Sequence, residues 1–322
     1  MKILQFINYA DKEIGGAQKI VHYIHGAFPE SRVFGADLTL ERNCTKKSSA
    51  LACLCQYVFS LLFRRDSVIL IHHRFFLIFC FLFKHKKTVF VCHNIFPKRN
   101  SIFKINPHIH YISISDDVSR YLSRWVSQAR ISTVYNGLYL DGQSYKKKSD
   151  SNKFIVYFIG RLADQKGIKV FLEAFKLISN EFENVFLRII GDGEDLDDLL
   201  ESAKGYSNIE FLGKQTYPFR QAHDASMIAI PSLYEGFGLV YYEALEYGHY
   251  IFASDLDVFE VDPQDEMVRL FESGNVDSIC TAFREAYPLA LKDGAPIKKR
   301  HRFNTVQVMQ ADYRRLLEDR YE

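Results

Sequence analysis

Residues 154–193 read FIVYFIGRLADQKGIKVFLEAFKLISNEFENVFLRIIGDG. Phe154–Ile159 is a run of six apolar residues closed by Gly160, the length and composition of a strand buried on both faces. Over Gly167–Ser179 the residues Ile168, Phe171, Leu172, Phe175 and Ile178 recur at helical spacing. Val185–Ile190 then repeats the strand pattern, again closed by a glycine. Strand, helix and strand in this order form a βαβ unit, whose strands pair in parallel.

The alternation continues outward in both directions. Downstream come a helix with Leu196, Leu199 and Leu200, strands at Ile209–Leu212 and Met227–Pro231, a helix at Gly238–Tyr247 and a strand at Tyr250–Ala253. The last 17 residues read as a further helix with Met309, Tyr313, Leu316 and Leu317 on one face. Upstream, Lys2–Ile7 is a strand, and Gly15-Gly16 opens a helix carrying Ala17, Ile20, Val21, Ile24, Ala27 and Phe28. Ser67–Ile71, Thr88–Cys92, Ile109–Ile114 and Ile131–Tyr135 are further strands, with a helix around Phe75–Phe83. Ser115 stands at an N-cap position, with Asp116 and Asp117 in the first turn and Val118, Tyr121, Leu122 and Trp125 on one face. Between the two series lies the polar stretch Leu138–Asn152. The expected fold is α/β: two doubly wound, parallel-sheet (Rossmann-like) domains facing a cleft, with ligands at the carboxyl ends of the strands. Their bounds are 1–140, a linker at 141–152, 153–305, and a final helix at 306–322.

Composition agrees with two domains. The chain has 322 residues, 48% of them hydrophobic, which excludes wholesale disorder. Its net charge of +2 conceals a division: residues 1–150 carry 22 Lys and Arg against 10 Asp and Glu, and the remainder 19 against 29. A basic half and an acidic half argue for different partners. Six cysteines (44, 53, 55, 80, 92, 280) have no CxxC or metal spacing, and five lie in apolar stretches, so buried free thiols in a reducing compartment are expected. The N-terminus lacks the features of a signal peptide, and FFLIFCFLF (75–83) is too short to span a membrane. A cytoplasmic protein is expected, with peripheral attachment to the inner face of the cell membrane left open. Arg64, Arg65, Lys84, Lys86, Lys87, Lys98, Arg99 and Lys104 flank the apolar runs. They suit an anionic membrane surface or an acceptor on a lipid diphosphate, and equally a core helix whose ends lysines solvate. No basic motif with interleaved aromatics points to nucleic acid.

The fold would permit a dinucleotide site, but the fingerprint fails. Gly15-Gly16 contains no GxG, Gly191-Asp192-Gly193 lacks the third glycine, and there is no GxxxxGK[ST] loop. What stands out is PSLYEGFGLVYYEAL (231–245), where Glu235 and Glu243 bracket a Gly-Phe-Gly turn that starts a helix. Glycines admit close backbone approach, and free amides at a helix start favour phosphate oxygens. Glu243 could accept hydrogen bonds from sugar hydroxyls, and Glu235 would lie at the mouth of the cleft. A strand–turn–helix corner with two solvated glutamates would give the same spacing.

This segment resembles the E-x7-E signature of retaining nucleotide-sugar glycosyltransferases with the GT-B fold, glycosyltransferase family 4 (glycosyl transferases group 1). Other segments are similar in the family's order: Gly15-Gly16-Ala17-Gln18, Val91-Cys92-His93-Asn94, Ile114-Ser115, Val134-Tyr135-Asn136-Gly137, Gly160-Arg161-Leu162…Lys166-Gly167, Gly191-Asp192-Gly193 and Phe211-Leu212-Gly213. The resemblance implies a metal-independent glycosyltransferase that moves a sugar, with retention, from a nucleotide-diphosphate donor to a glycan or lipid-linked acceptor, as in cell-surface polysaccharide synthesis. No cofactor is implied. Arg161 and Lys166 would contact the diphosphate and offset charge on the leaving group. Gly16 would offer its N–H to the same group, as would Gly238 and Leu239. Glu243 would bind the ribose, and Glu235, beside Phe237, the transferred sugar. The base would pack near Gly191 and Gly213. His93 would stand near the reacting centre, with His72 and His73 on the acceptor side, and the last helix would cross back to the first domain. Asp255 and Asp257 are not read as a metal-binding DxD, a motif of a different glycosyltransferase fold. The pattern departs from the family after Ser254, where Leu256-Asp257-Val258-Phe259-Glu260 replaces a glycine pair. An epimerase acting on nucleotide sugars and a non-catalytic nucleotide-sugar-binding subunit are the two alternatives.

Overall fold

The computed structural model describes residues 1–11, 15–41, 44–96, 98, 100–104, 108–139, 153–259, 266–291 and 304–322. The chain divides into two units, Met1–Tyr139 with Phe303–Glu322, and Leu140–Arg302. The expected linker at 141–152 lies outside the described residues.

In the first unit the apolar runs become the parallel strands β1 (Lys2–Phe6), β2 (Arg32–Phe34), β5 (Ser67–Ile71), β6 (Thr88–Cys92), β7 (His110–Ser113) and β8 (Ile131–Thr133). Two further strands, β3 (Leu38–Glu41) and β4 (Cys44–Lys47), extend the sheet to the order β4-β3-β2-β1-β5-β6-β7-β8. They pair antiparallel and add an edge to the expected parallel sheet. The links β2–β3 and β3–β4 are only three and two residues long, and a parallel crossover needs a dozen or more. Asp37 shapes the first link, its carboxylate accepting from the amides of Ala10, Asp11 and Leu38 at 2.7–2.9 Å. Around the sheet lie α1 (Gly16–Ala27), α2 (Ala50–Phe63), α3 (Leu77–Phe83) and α4 (Asp116–Ser123). Ser115 caps α4, its hydroxyl accepting from the Val118 amide at 3.2 Å, and Trp125 falls beyond the helix end. Cys53, Cys80, Cys92 and Cys280 are buried, but Cys44 and Cys55 are exposed: β4 faces solvent throughout, and Cys55 stands on the outer side of α2.

The second unit contains β9 (Phe154–Ile159), α5 (Ile168–Glu181), β10 (Val185–Ile190), α6 (Leu196–Ser202), β11 (Ile209–Gly213), α7 (Pro218–Gln221), β12 (Met227–Ile230), α8 (Leu239–Glu246), β13 (Ile251–Ser254), β14 (Val268–Phe271) and α9 (Val276–Ala290). Its sheet, β11-β10-β9-β12-β13-β14, is parallel throughout. Helices α5 and α9 close one core, built on Phe154, Phe171, Phe175, Phe252 and Phe283. The chain leaves β9 toward β10 on one side and returns to β12 on the other, so the topological switch point lies between β9 and β12, where such sheets hold ligands.

The last helix, α10 (Val306–Tyr321), packs on α1 within the first unit. Its buried face is Val306, Met309, Tyr313 and Leu317, while Leu316 sits at the edge. Gln310 donates to the Tyr23 carbonyl at 2.8 Å and Arg314 to that of Ala27 at 2.9 Å, which satisfies acceptors near the end of α1.

Candidate functional site

Two loops meet at the switch point. After β9 the chain runs through Gly160, Arg161 and a single 3-10 turn at Asp164–Lys166 to Gly167, where α5 starts. After β12 it runs from Pro231 to Gly238, where α8 starts. Because β9 and β12 are neighbouring parallel strands, these loops leave the same edge of the sheet side by side. They are joined by backbone and side chain: the Leu233 amide donates to the Gln165 carbonyl at 2.8 Å, and Gln165 Nε2 to the Tyr234 carbonyl at 3.0 Å. Gly167 seals the contact. Its φ of 62° lies in the left-handed region, and a Cβ there would come within 1.9 Å of the Pro231 carbonyl oxygen.

Across this joint Lys166 forms an ion pair with Glu235. The Glu235 side chain is only 8% exposed and also accepts a hydrogen bond from Ser232 Oγ at 2.8 Å. Glu235 is therefore not the solvated glutamate of a plain strand–turn–helix corner, the bland alternative that the spacing left open. A buried carboxylate persists only when paired and hydrogen-bonded, and both conditions hold here. The two cations of the β9 loop take different partners, since Arg161 is mostly exposed and pairs with Glu194, Nε to Oε2 at 3.1 Å. Gly191, after β10, donates its amide to the Gly213 carbonyl at the end of β11, and Leu162 donates to the Asp192 carbonyl. Arg161, Lys166, Gly191, Glu235, Phe237, Gly238 and Leu239 thus lie in the loops and at the helix start that follow strands of one sheet, with Gly213 at the end of β11, and Glu243 lies further along α8.

Gly238 begins α8 at φ 78°, and a Cβ there would strike the Phe259 ring at 2.4 Å. Phe259 stacks on Tyr241 at 4.5 Å, and the Tyr242 hydroxyl donates to the Val258 carbonyl at 2.7 Å. The segment that departs from the family pattern is therefore packed against α8, as far as Phe259; Glu260 lies outside the described residues. Having no side chain, Gly238 gives α8 no side-chain cap, and its carbonyl accepts from the Tyr241 amide at 2.9 Å. Asp255 accepts the Ser273 amide at 2.9 Å, a loop contact. Among the described residues no group of three or more His, Cys, Asp or Glu could hold a metal ion.

Gly16 and His93 belong to the first unit, at the carboxyl ends of β1 and β6. There His93 Nε2 lies 2.9 Å from His72 Nδ1, and His72 Nε2 lies 3.1 Å from Gln5 Oε1. Burial pushes His93 down to about 4 and His72 well below the usual range, so both rings are neutral at pH 7. His73 is exposed and turned to the Phe75 amide, apart from this chain of rings. Sequence reasoning missed Gln5, Glu194 and Ser232. Only Ser232 left a signal, a hydroxyl three residues before Glu235 inside the quoted motif.

Residues 142–304 match the family model of glycosyl transferases group 1, half of the chain. The chain belongs to the glycosyl transferases group 1 family. Among curated relatives, an uncharacterized glycosyltransferase of Methanocaldococcus jannaschii, MJ1069, is 32% identical over 184 residues, 49% of this chain and 47% of that protein. A phosphatidyl-myo-inositol mannosyltransferase of Mycobacterium leprae is 31% identical over 172 residues, 48% of this chain and 45% of that protein. The chain spans about half or less of the length of the curated relatives it matches. Among solved structures, Anabaena Alr3699/HepE in complex with UDP and glucose superposes with a TM-score of 0.75 over 99% of each chain at 16% identity. That likeness is one of fold, the two-sheet GT-B architecture of this group 1 chain.

Proposed function

We propose that the protein is a retaining glycosyltransferase that moves a sugar from a nucleoside-diphosphate donor to a hydroxyl of a glycan or lipid-linked acceptor in cell-surface polysaccharide synthesis. The observation that carries the reading is the ion pair of the half-buried Lys166 with the buried Glu235, beside the glycine-started helix α8 at the switch point of a group 1 sheet. Breaking the bond from sugar to diphosphate leaves growing negative charge on the departing phosphate. The Lys166 ammonium, the Arg161 guanidinium and the first amides of α8 are the groups that would stabilise it, without a metal. A carboxylate accepts hydrogen bonds only, so Glu235 would hold and orient hydroxyls of the transferred sugar, with Phe237 in the same turn. Glu243 would take the ribose hydroxyls, and the base would rest near Gly191 and Gly213. Gly16 and His93 enter the reading from the resemblance alone. A solved neighbour holding UDP and glucose, and a curated relative named as a mannosyltransferase, support donor chemistry of this class.

Thermal-shift screening against UDP-, GDP- and ADP-sugars tests the reading. At least one is expected to raise the melting temperature of the full chain, and Lys166→Ala to weaken that response. With the matched donor and an acceptor, product should form with retained anomeric configuration. No affinity for any nucleoside diphosphate would overturn the proposal. Conversion of the donor without acceptor would favour an epimerase, and donor binding without turnover a non-catalytic subunit.

A further inference from the structure

Two helices of the first unit carry apolar residues on the wrong side for a core. Helix α2 buries Cys53, Tyr57 and Leu61, yet Leu51, Phe59, Leu62 and Phe63 are exposed, Phe63 by 68%. The turn into α3 and α3 itself bury Phe76, Leu77 and Cys80, and expose Phe75, Ile78, Phe81 and Leu82. Both helices are thus apolar on their outer as well as inner sides, which a water-facing helix seldom is. The two are packed together: Tyr57 donates to the Phe76 carbonyl at 2.9 Å and meets the Phe79 ring edge-on at 6.2 Å. Their C-terminal ends also meet, since His85 Nε2 lies 3.2 Å from the Arg64 carbonyl. That contact gathers Arg64, Arg65, Lys84 and Lys86, all exposed, at one end of the apolar face. Residues 48–104 hold nine Lys and Arg and a single acid, Asp66.

We infer that the outer face of α2 and α3 docks on an anionic lipid surface, with Phe63, Phe81 and Leu82 entering the headgroup boundary and the cationic cluster meeting lipid phosphates. Charge complementarity selects this occupant: a segment with nine cations and one acid repels a second copy of itself and attracts a negatively charged bilayer, with Asp319 of α10 the acid that shares a cavity with Lys86. No described helix is long and apolar enough to cross a membrane, so the helices would lie in the interfacial plane. The inference goes beyond the transferase reading and is independent of it, since none of these residues belongs to the loops at β9 and β12.

The test is cosedimentation of the full chain with phosphatidylcholine vesicles with and without phosphatidylglycerol, at low and high salt. The chain should bind the phosphatidylglycerol vesicles, and salt should weaken that binding. The double variant F63S/L82S should bind about tenfold or more weakly, and each of Arg64→Ala, Arg65→Ala and Lys84→Ala roughly fivefold more weakly. These side chains are exposed, so the variants should keep the parent melting temperature and nucleotide response, which separates this test from that of the donor site. Absence of binding to anionic vesicles, or binding unaltered in F63S/L82S, would overturn the inference. So would a dimer that F63S/L82S dissociates without altering vesicle binding, since a second copy would then cover the face.

Discussion

At Glu235 a carboxylate is buried against a lysine and a serine, and removing either charged partner strands the other. Glu235→Gln and Lys166→Met should each cost about 1–3 kcal/mol, read from urea midpoints. The double variant should cost less than the two together, because the stranded charge goes with its partner. Lys166→Ala should also lower transfer by roughly 10²–10³-fold, the scale of losing one donor to a leaving oxyanion. Gly167 makes a separate prediction. Gly167→Ala meets both a left-handed φ and the Pro231 carbonyl, so it should destabilise by about 3 kcal/mol or more in the same titration. The identities of these residues were legible: E-x7-E and Arg161…Lys166 are visible as residue types at a spacing. Their partners were not. Lys166 and Glu235 lie 69 positions apart, and Arg161 and Glu194 lie 33 apart. Nothing local says that the β9 loop will zip to the β12 loop.

Among the elements, α10 is where periodicity translated most directly into packing. Met309, Tyr313 and Leu317 recur every four residues, and all three are buried. Leu317→Ala should cost about 2–5 kcal/mol and lower the melting temperature, whereas the exposed Val308→Ala should change either little. Other elements left weaker traces. Strand β4 (CTKK) is exposed along its whole length, so it shows no alternation of apolar and polar residues. Strand β14 has three half-exposed residues and only Phe271 buried, and α9 hides a valid helical pattern among alanines, a cysteine and Pro288. Helix α3 was visible as an apolar run, but its mixed exposure was not, because hydropathy alone cannot say which side a helix will turn to the core.

For the whole molecule, acid should be the informative perturbation. Burial holds His93 and His249 at about 4, below the 6.5 of an unfolded chain. Below pH 6.5 the unfolded state therefore takes up protons that the folded state refuses, and stability falls as pH drops toward 4. Each of the two should cost about 2 kcal/mol at pH 5 relative to pH 7.5. Urea midpoints at the two pH values check this; equal midpoints would mean that the rings are not buried neutral. The division of charge between halves was legible at this scale, as was the α/β class. Strand and helix periods determined the succession of parallel units, because burial of each element depends on residues two to four positions apart. The antiparallel edge at β3–β4 could also have been inferred from connection lengths, had those short strands been recognised. What only the tertiary structure decided is which loops touch, that Glu235 is buried rather than solvated, that Gln5, His72 and His93 form one chain, and that α2 and α3 present apolar residues outward. Each of these depends on sheet order and helix rotation, which are set by packing between segments far apart in the chain and leave no period in the sequence.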